Sequence, residues 1–181
     1  MTLLNKIAWF ALACASLGLA ADWSAPVDVL HDMKPCVTYK ARLDGDLLLI
    51  EASLQPGWHT FAIDNEHRAA EKLAGKPSLG IDQPTQIRMG NGLELAGPWY
   101  QSSPKDFSKP DLRWFSWGFE RQALFVAKVR HSAAGSARID IRGQACTEKT
   151  CKNIDVALSL PLSARGNAAS GMDLKTLVQV R

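Results

Sequence analysis

The chain is 181 residues long and 46% hydrophobic, with 21 Lys+Arg against 18 Asp+Glu and a formal net charge of +3. So even a balance excludes an electrostatic case for nucleic acid or an anionic membrane surface as partner. The length suits one ordinary domain with room for a sizeable core.

The first twenty residues stand apart. Lys6 is their only charge, Ile7 to Leu19 is almost wholly apolar, and Gly18-Leu19-Ala20 offers small residues at the two positions a signal peptidase reads. An apolar run this short, with these flanks, predicts a cleaved secretory signal peptide over residues 1–20 and not a membrane span. A lipoprotein reading at Cys14 is disfavoured, because Ala11-Leu12-Ala13 before it lacks the leading Leu of a lipobox. No later stretch is apolar enough to span a bilayer, so the mature chain is expected to be exported and any membrane partner to be a separate protein. Cleavage removes Lys6 and Cys14, leaving 20 Lys+Arg against 18 Asp+Glu, a net charge of +2, and three cysteines. In an oxidising compartment one of three is left over once a pair forms. Cys146 and Cys151 are the obvious pair, and Cys36 is the remainder.

The mature chain reads as a series of short strands. Cys36 to Leu43 alternates apolar and polar residues, Asp44-Gly45 supplies a hairpin turn, and Asp46 to Leu54 returns. Pro56-Gly57 breaks that strand, and Trp58 to Ile63 is the next. Asn65 to Leu73 is the one good helix, with Asp64 or Asn65 as cap and Gly75 as stop. Strand-like pieces follow at Thr85 to Met89 and around Leu93-Glu94-Leu95. From Gly97 to Asp111 the Pro, Ser and Lys content predicts a long loop, unusual in carrying Trp99, Tyr100 and Phe107. Two strands, Arg113 to Phe119 and Ala123 to His131, precede a turn at Ala134-Gly135. Strands at these intervals point to an all-β sandwich or barrel. The domain is expected over residues 21–162 and a flexible polar tail over 163–181, within which Asp173 to Val180 has the makings of either a last strand or a helical turn.

The last hairpin holds the chemistry. Ala137 to Arg142 and Ile154 to Leu160 alternate with a period of two, and between them lies Gln144-Ala145-Cys146-Thr147-Glu148-Lys149-Thr150-Cys151. The cysteines are therefore expected at an exposed connection between strands. One reading is a structural staple, worth about 2 kcal/mol for a closed loop of roughly six residues. The other is a redox pair, since short exposed disulfides are the labile ones, and Lys149 and Lys152 favour a thiolate while Glu148 opposes it. A structural zinc site is disfavoured for want of a second ligand pair. A copper site built from Cys146, Cys151 and a histidine or methionine suits soft ligands but is the weaker idea. His31, His59, His67 and His131 are scattered singly.

Three pieces, in this order behind a signal peptide, resemble the N-terminal periplasmic domain of the thiol:disulfide interchange protein DsbD. They are Gly57-Trp58-His59-Thr60-Phe61, then Trp117-Gly118-Phe119-Glu120, then Gln144-Ala145-Cys146 through Cys151 with its alternating strand. The resemblance covers roughly Val37 to Leu162. It implies an all-β immunoglobulin-like sandwich with one short helix, whose catalytic pair is Cys146 and Cys151. It further implies a periplasmic domain that passes reducing equivalents to or from thioredoxin-like oxidoreductases, without a cofactor or metal. Cys151 would hold the mixed disulfide. A cap loop would shield the pair with an aromatic, for which Phe107 is the candidate and Trp114 or Phe115 the substitutes. The chain departs from the best-known members in three ways. The cysteines have one residue fewer between them, the strand after Gly57 carries Trp58, His59 and Phe61 in place of mostly tyrosines, and the transmembrane and thioredoxin-like parts do not follow. A lone domain of this kind would draw electrons from a separate membrane protein. The alternative is a non-catalytic sandwich module that binds a partner protein, with Cys146–Cys151 as a staple.

Overall fold

The computed structural model describes residues 23–77, 82–132, 135–162 and 172–181. The expected signal peptide, Ala134 of the expected turn and residues 163–171 of the expected tail lie outside them.

In chain order the elements are β1 (Val27–His31), β2 (Lys34–Asp44), β3 (Leu47–Leu54), β4 (His59–Phe61) and helix α1 (Asn65–Leu73). Then come β5 (Gln86–Gly90), β6 (Leu93–Gln101), β7 (Lys105–Asp106), β8 (Trp117–Glu120), β9 (Gln122–His131), β10 (Gly135–Cys146), β11 (Cys151–Leu162) and β12 (Val178–Gln179). One antiparallel sheet runs β1-β2-β3-β9-β6-β12 and the other β11-β10-β4-β8-β7, with β5 also paired to β10. This is the immunoglobulin-like sandwich with a single short helix.

Period-two alternation builds the core. Every second residue of β2 (Val37, Tyr39, Ala41, Leu43) and of β9 (Ala123, Phe125, Ala127, Val129) is buried, facing Ile139 and Ile141 of β10 and Leu158 and Leu160 of β11. Each buried Leu, Ile or Phe contributes about 1.5–3 kcal/mol. Phe119 of β8 meets Phe125 of β9 edge to face across the sandwich, with ring centroids 5.6 Å apart.

Several boundaries differ from the sequence reading for local reasons. The first hairpin turns at Gly45-Asp46, one residue later than expected, because Asp44 still pairs with Leu47 and Gly45 takes the positive φ of 61°. The expected loop from Gly97 is strand as far as Gln101. β6 passes Gly97 and Pro98 at an irregularity between Leu95 and Trp99, where a proline without an N–H is tolerated. The strand expected from Arg113 starts only at Trp117, because Pro110–Leu112 forms a turn of 3-10 helix and Arg113 has a left-handed backbone. Asp173 to Val180, left open by the sequence between a last strand and a helical turn, contains both. A 3-10 turn at Leu174–Thr176 leads into β12, which pairs with Tyr100 and Gln101 of β6. β1 was not anticipated.

Helix α1 has the expected bounds, but Asp64 does not cap it with its side chain. The carboxylate instead accepts hydrogen bonds from Arg68 Nε (2.9 Å) and from Gln101 Nε2 (2.7 Å), and Gln101 Oε1 accepts from the Ile63 N–H (3.0 Å). Burial by itself would raise the Asp64 carboxyl, but the hydrogen bonds from Arg68 and Gln101 outweigh it and hold the group below its ordinary value. This network fastens the start of the helix to β6, and Gln101 is wholly buried within it. Replacing Asp64 by Ala leaves the Arg68 charge and the Gln101 amide without their acceptor. We expect a loss of roughly 3 kcal/mol in urea unfolding, against under about 1 kcal/mol if the network contributes little.

Candidate functional site

Strands β10 and β11 form one hairpin, in register from Gly135↔Leu162 to Cys146↔Cys151. The two cysteines are thus the last cross-strand pair before the connection, and they form a disulfide with Cα atoms 4.0 Å apart. The loop between them is closed by Thr147. Its N–H donates to the Thr150 carbonyl (2.8 Å), and its hydroxyl oxygen accepts from the Lys149 and Thr150 N–H groups (3.2 and 3.1 Å).

The expectation that both cysteines are exposed holds for one of them. Cys151 is exposed, whereas Cys146 is only 3% exposed. The difference follows from pairing, because β10 is covered on its other edge by β4 while β11 is an edge strand. Incoming reagents therefore meet one sulfur first.

The neighbour of Cys146 on that other edge is His59. Cys146 pairs with His59 and Ala145 with Thr60, and the Thr60 hydroxyl donates to the Gln144 carbonyl (2.9 Å). His59 in turn pairs with Glu120 of β8. Residues opposite one another on adjacent strands share a face, so Cys151, Cys146, His59 and Glu120 form a row across four strands. The sequence reading treated His59 as one of four isolated histidines. Its partner strand lies far along the chain, so only the motif around it, Gly57 to Phe61, pointed to the place.

Phe107 completes the site. Its ring stacks on the His59 imidazole, with centroids 4.7 Å apart and planes 20° apart, while Phe61 meets the same imidazole edge-on at 5.3 Å. Phe107 is carried by the β7–β8 hairpin, where its N–H donates to the Ser116 carbonyl (2.9 Å) and Lys105 Nζ lies 5.2 Å from its ring centroid. Lys105 also pairs with Glu120 at 3.0 Å. β8 can approach β4 this closely because residue 118 is glycine. A Cβ there would run into the Thr60 carbonyl oxygen and come within 3.2 Å of Phe61 Cα.

Together these groups line a cleft of about 620 Å³, bounded by His59, Phe107, Trp114, Cys146, Cys151 and the loop between the cysteines. Trp114 Nε1 donates to Asp82 Oδ2 (2.8 Å), so that aromatic is a tethered wall. Phe115 is half-buried and is not among the lining residues. Asn65 supports the wall from beneath, donating to the Asp82 carbonyl (2.9 Å) and accepting from the Trp117 N–H (2.7 Å).

Charge in the cleft is mixed. Lys149 and Glu148 line it, as the sequence suggested. Lys152 does not, because it follows Cys151 on a strand and alternates to the opposite face, where the thiol it influences is Cys36. Burial pushes the His59 imidazole below its ordinary value, and Lys105 and Lys109 add to this against Asp82 and Glu120. His59 is therefore a neutral base at neutral pH. Cys36 is free and 1% exposed. Its thiol donates to the Val29 carbonyl (3.2 Å) and burial raises its pKa, which makes it a small core residue remote from thiolate chemistry. Among the described residues, no group of three or more His, Cys, Asp or Glu is placed to hold a metal ion, and no helix is long and apolar enough to cross a membrane.

No protein-family model and no curated protein matches the sequence. Among solved structures, the N-terminal periplasmic domain of ScsB from Proteus mirabilis is similar with a TM-score of 0.53 and 16% identity, over 84% of this chain and 56% of that one. The N-terminal domain of DsbD from Neisseria meningitidis, in its reduced form, matches with a TM-score of 0.48 and 10% identity, over 73% of this chain and 90% of that one. The chain thus spans little more than half the length of the ScsB structure it matches. In its fold, an all-β immunoglobulin-like sandwich, the chain is similar to the N-terminal periplasmic domain of ScsB.

Proposed function

We propose that this protein is a periplasmic thiol–disulfide exchange domain. It would be exported by its signal peptide and would pass reducing equivalents through Cys146 and Cys151 to or from thioredoxin-like oxidoreductases. A separate membrane protein would serve as the electron source. The observation that carries this reading is the asymmetric disulfide at the cleft, with Cys151 exposed and Cys146 buried. Cys151 would hold the mixed disulfide, and Cys146 would resolve it. The reaction class is that of a protein-disulfide reductase.

The staple reading loses ground for a physical reason. The bridge closes a loop of only about six residues, so it restrains the unfolded chain little, by about 2 kcal/mol. The test is a redox titration of the mature domain in dithiol buffers, with each cysteine alkylated and mapped by mass. We expect the pair to open reversibly at roughly −180 to −270 mV while Cys36 stays a spectator; a pair that remains closed well below about −300 mV is a structural bridge.

Phe107 is proposed as the cap over the pair. It stacks on the histidine beside Cys146, at the lip of the cleft that a thiol must enter. An exposed reduced pair in an oxidising compartment is prone to side reactions, which a cap would limit. Phe107→Ala is expected to speed reaction of the reduced pair with small oxidants several-fold, read by thiol-loss kinetics. An unchanged rate would remove Phe107 from that role.

A further inference from the structure

Cys146 and His59 are held side by side by sheet pairing, without reliance on a flexible contact. Their Cα atoms are register partners on β10 and β4, which sets the Cβ atoms of such a pair about 4.5–5.5 Å apart on the same face of the sheet. The imidazole plane is fixed from two directions, by Phe107 stacked on one side and by the edge-on Phe61. His59 lines the same cleft as Cys146 and Cys151. The buried sulfur, unlike the exposed one, has little water to take its proton. A neighbouring base is what the resolving thiol lacks.

We infer that His59 is the general base for Cys146 when the reduced pair delivers its electrons, an inference that rests on the exchange reading above. The electron acceptor is a disulfide of a partner protein. The thiolate of Cys151 attacks one sulfur of that disulfide, forming a mixed disulfide and releasing the partner's first thiolate, which takes up a proton. Neutral His59 then accepts the Cys146 thiol proton. The Cys146 thiolate attacks Cys151 Sγ, the Cys146–Cys151 bond forms, and the electron pair of the breaking mixed disulfide leaves on the partner's second sulfur. The imidazolium returns its proton to that thiolate or to water. Two thiols and one disulfide become one disulfide and two thiols.

The electrostatics suit this role. Burial depresses the His59 pKa, so the free-base form that the step needs is the resident one near neutrality. The charged groups facing the ring are Asp82 before β5, Glu120 on β8, Lys105 on β7, Lys109 on the cap, and Glu148 and Lys149 between the cysteines. Their signs are balanced, which leaves burial as the dominant influence.

The experiment separates the two steps of exchange. Reduced mature protein is mixed with excess Ellman's reagent and thionitrobenzoate release is followed by stopped flow. A first, concentration-dependent phase reports attack by Cys151, and a second, unimolecular phase reports closure by Cys146. The second-phase rate in the natural sequence should rise with pH through an inflection below about 6.5 and then level off. His59→Phe keeps a ring for Phe107 to stack on but removes the base. It should slow the second phase up to about 100-fold at pH 7 and move its inflection into the thiol range above about 8.5, with the first phase unchanged. His59→Gln, checked for folding by circular dichroism, should show the same displaced inflection. If the His59→Gln rate and inflection match those of the natural sequence, the inference is overturned, and the exchange reading stands. If the natural sequence shows no second phase at all, both fall together.

Discussion

Strand β10 is paired along both edges, and the unequal setting of the two linked cysteines depends on that double pairing. One edge carries β11 in unbroken register to the cysteine pair. The other carries β5 along the middle and β4 at the end, so the last residue of β10 has a neighbour on each side. Cys146 is consequently shielded, and Cys151, on an edge strand, is not. The alternation that places Ala137, Ile139, Ile141 and Ala145 in the core puts Arg138, Asp140 and Arg142 on the outer face. A one-residue slip of this strand would reverse both faces and carry the site with them.

The cleft is assembled from pieces remote in sequence, and buried polar side chains hold those pieces in place. Asn65 binds the Asp82 backbone and the first residue of β8, and Asp82 in turn holds Trp114 in the connection between β7 and β8. Asp64 and Gln101 fasten the same helix start to the opposite sheet. Such groups are costly to bury without partners, which is why each is satisfied by a specific backbone or side-chain atom. The arrangement leaves the β7–β8 hairpin anchored at its base while Phe107 rests on the His59 ring.

A disulfide between adjacent strands of one hairpin adds little to a sandwich whose core is already continuous between two sheets. Its surroundings are unequal: Cys151 is exposed, Cys146 has His59 as its cross-strand neighbour, and both line a cleft with Phe107 and Trp114. Cys36, by contrast, is buried on β2 beneath the sandwich surface and takes no part in that arrangement.

Much of this was legible in the chain itself. Period-two alternation located the principal strands, cap and stop residues bounded α1, and the flanking alternation put Cys146 and Cys151 at the mouth of a hairpin. These are local properties, written in neighbouring residues. Phe107 was singled out by the family resemblance, but its stacking partner was not. His59 as the neighbour of Cys146, the burial of one cysteine only, the displacement of Lys152 to the other face and the docking of residues 172–181 through β12 all required tertiary structure. Each depends on which strand lies beside which, and β-sheet pairing joins residues whose separation along the chain leaves no periodic trace.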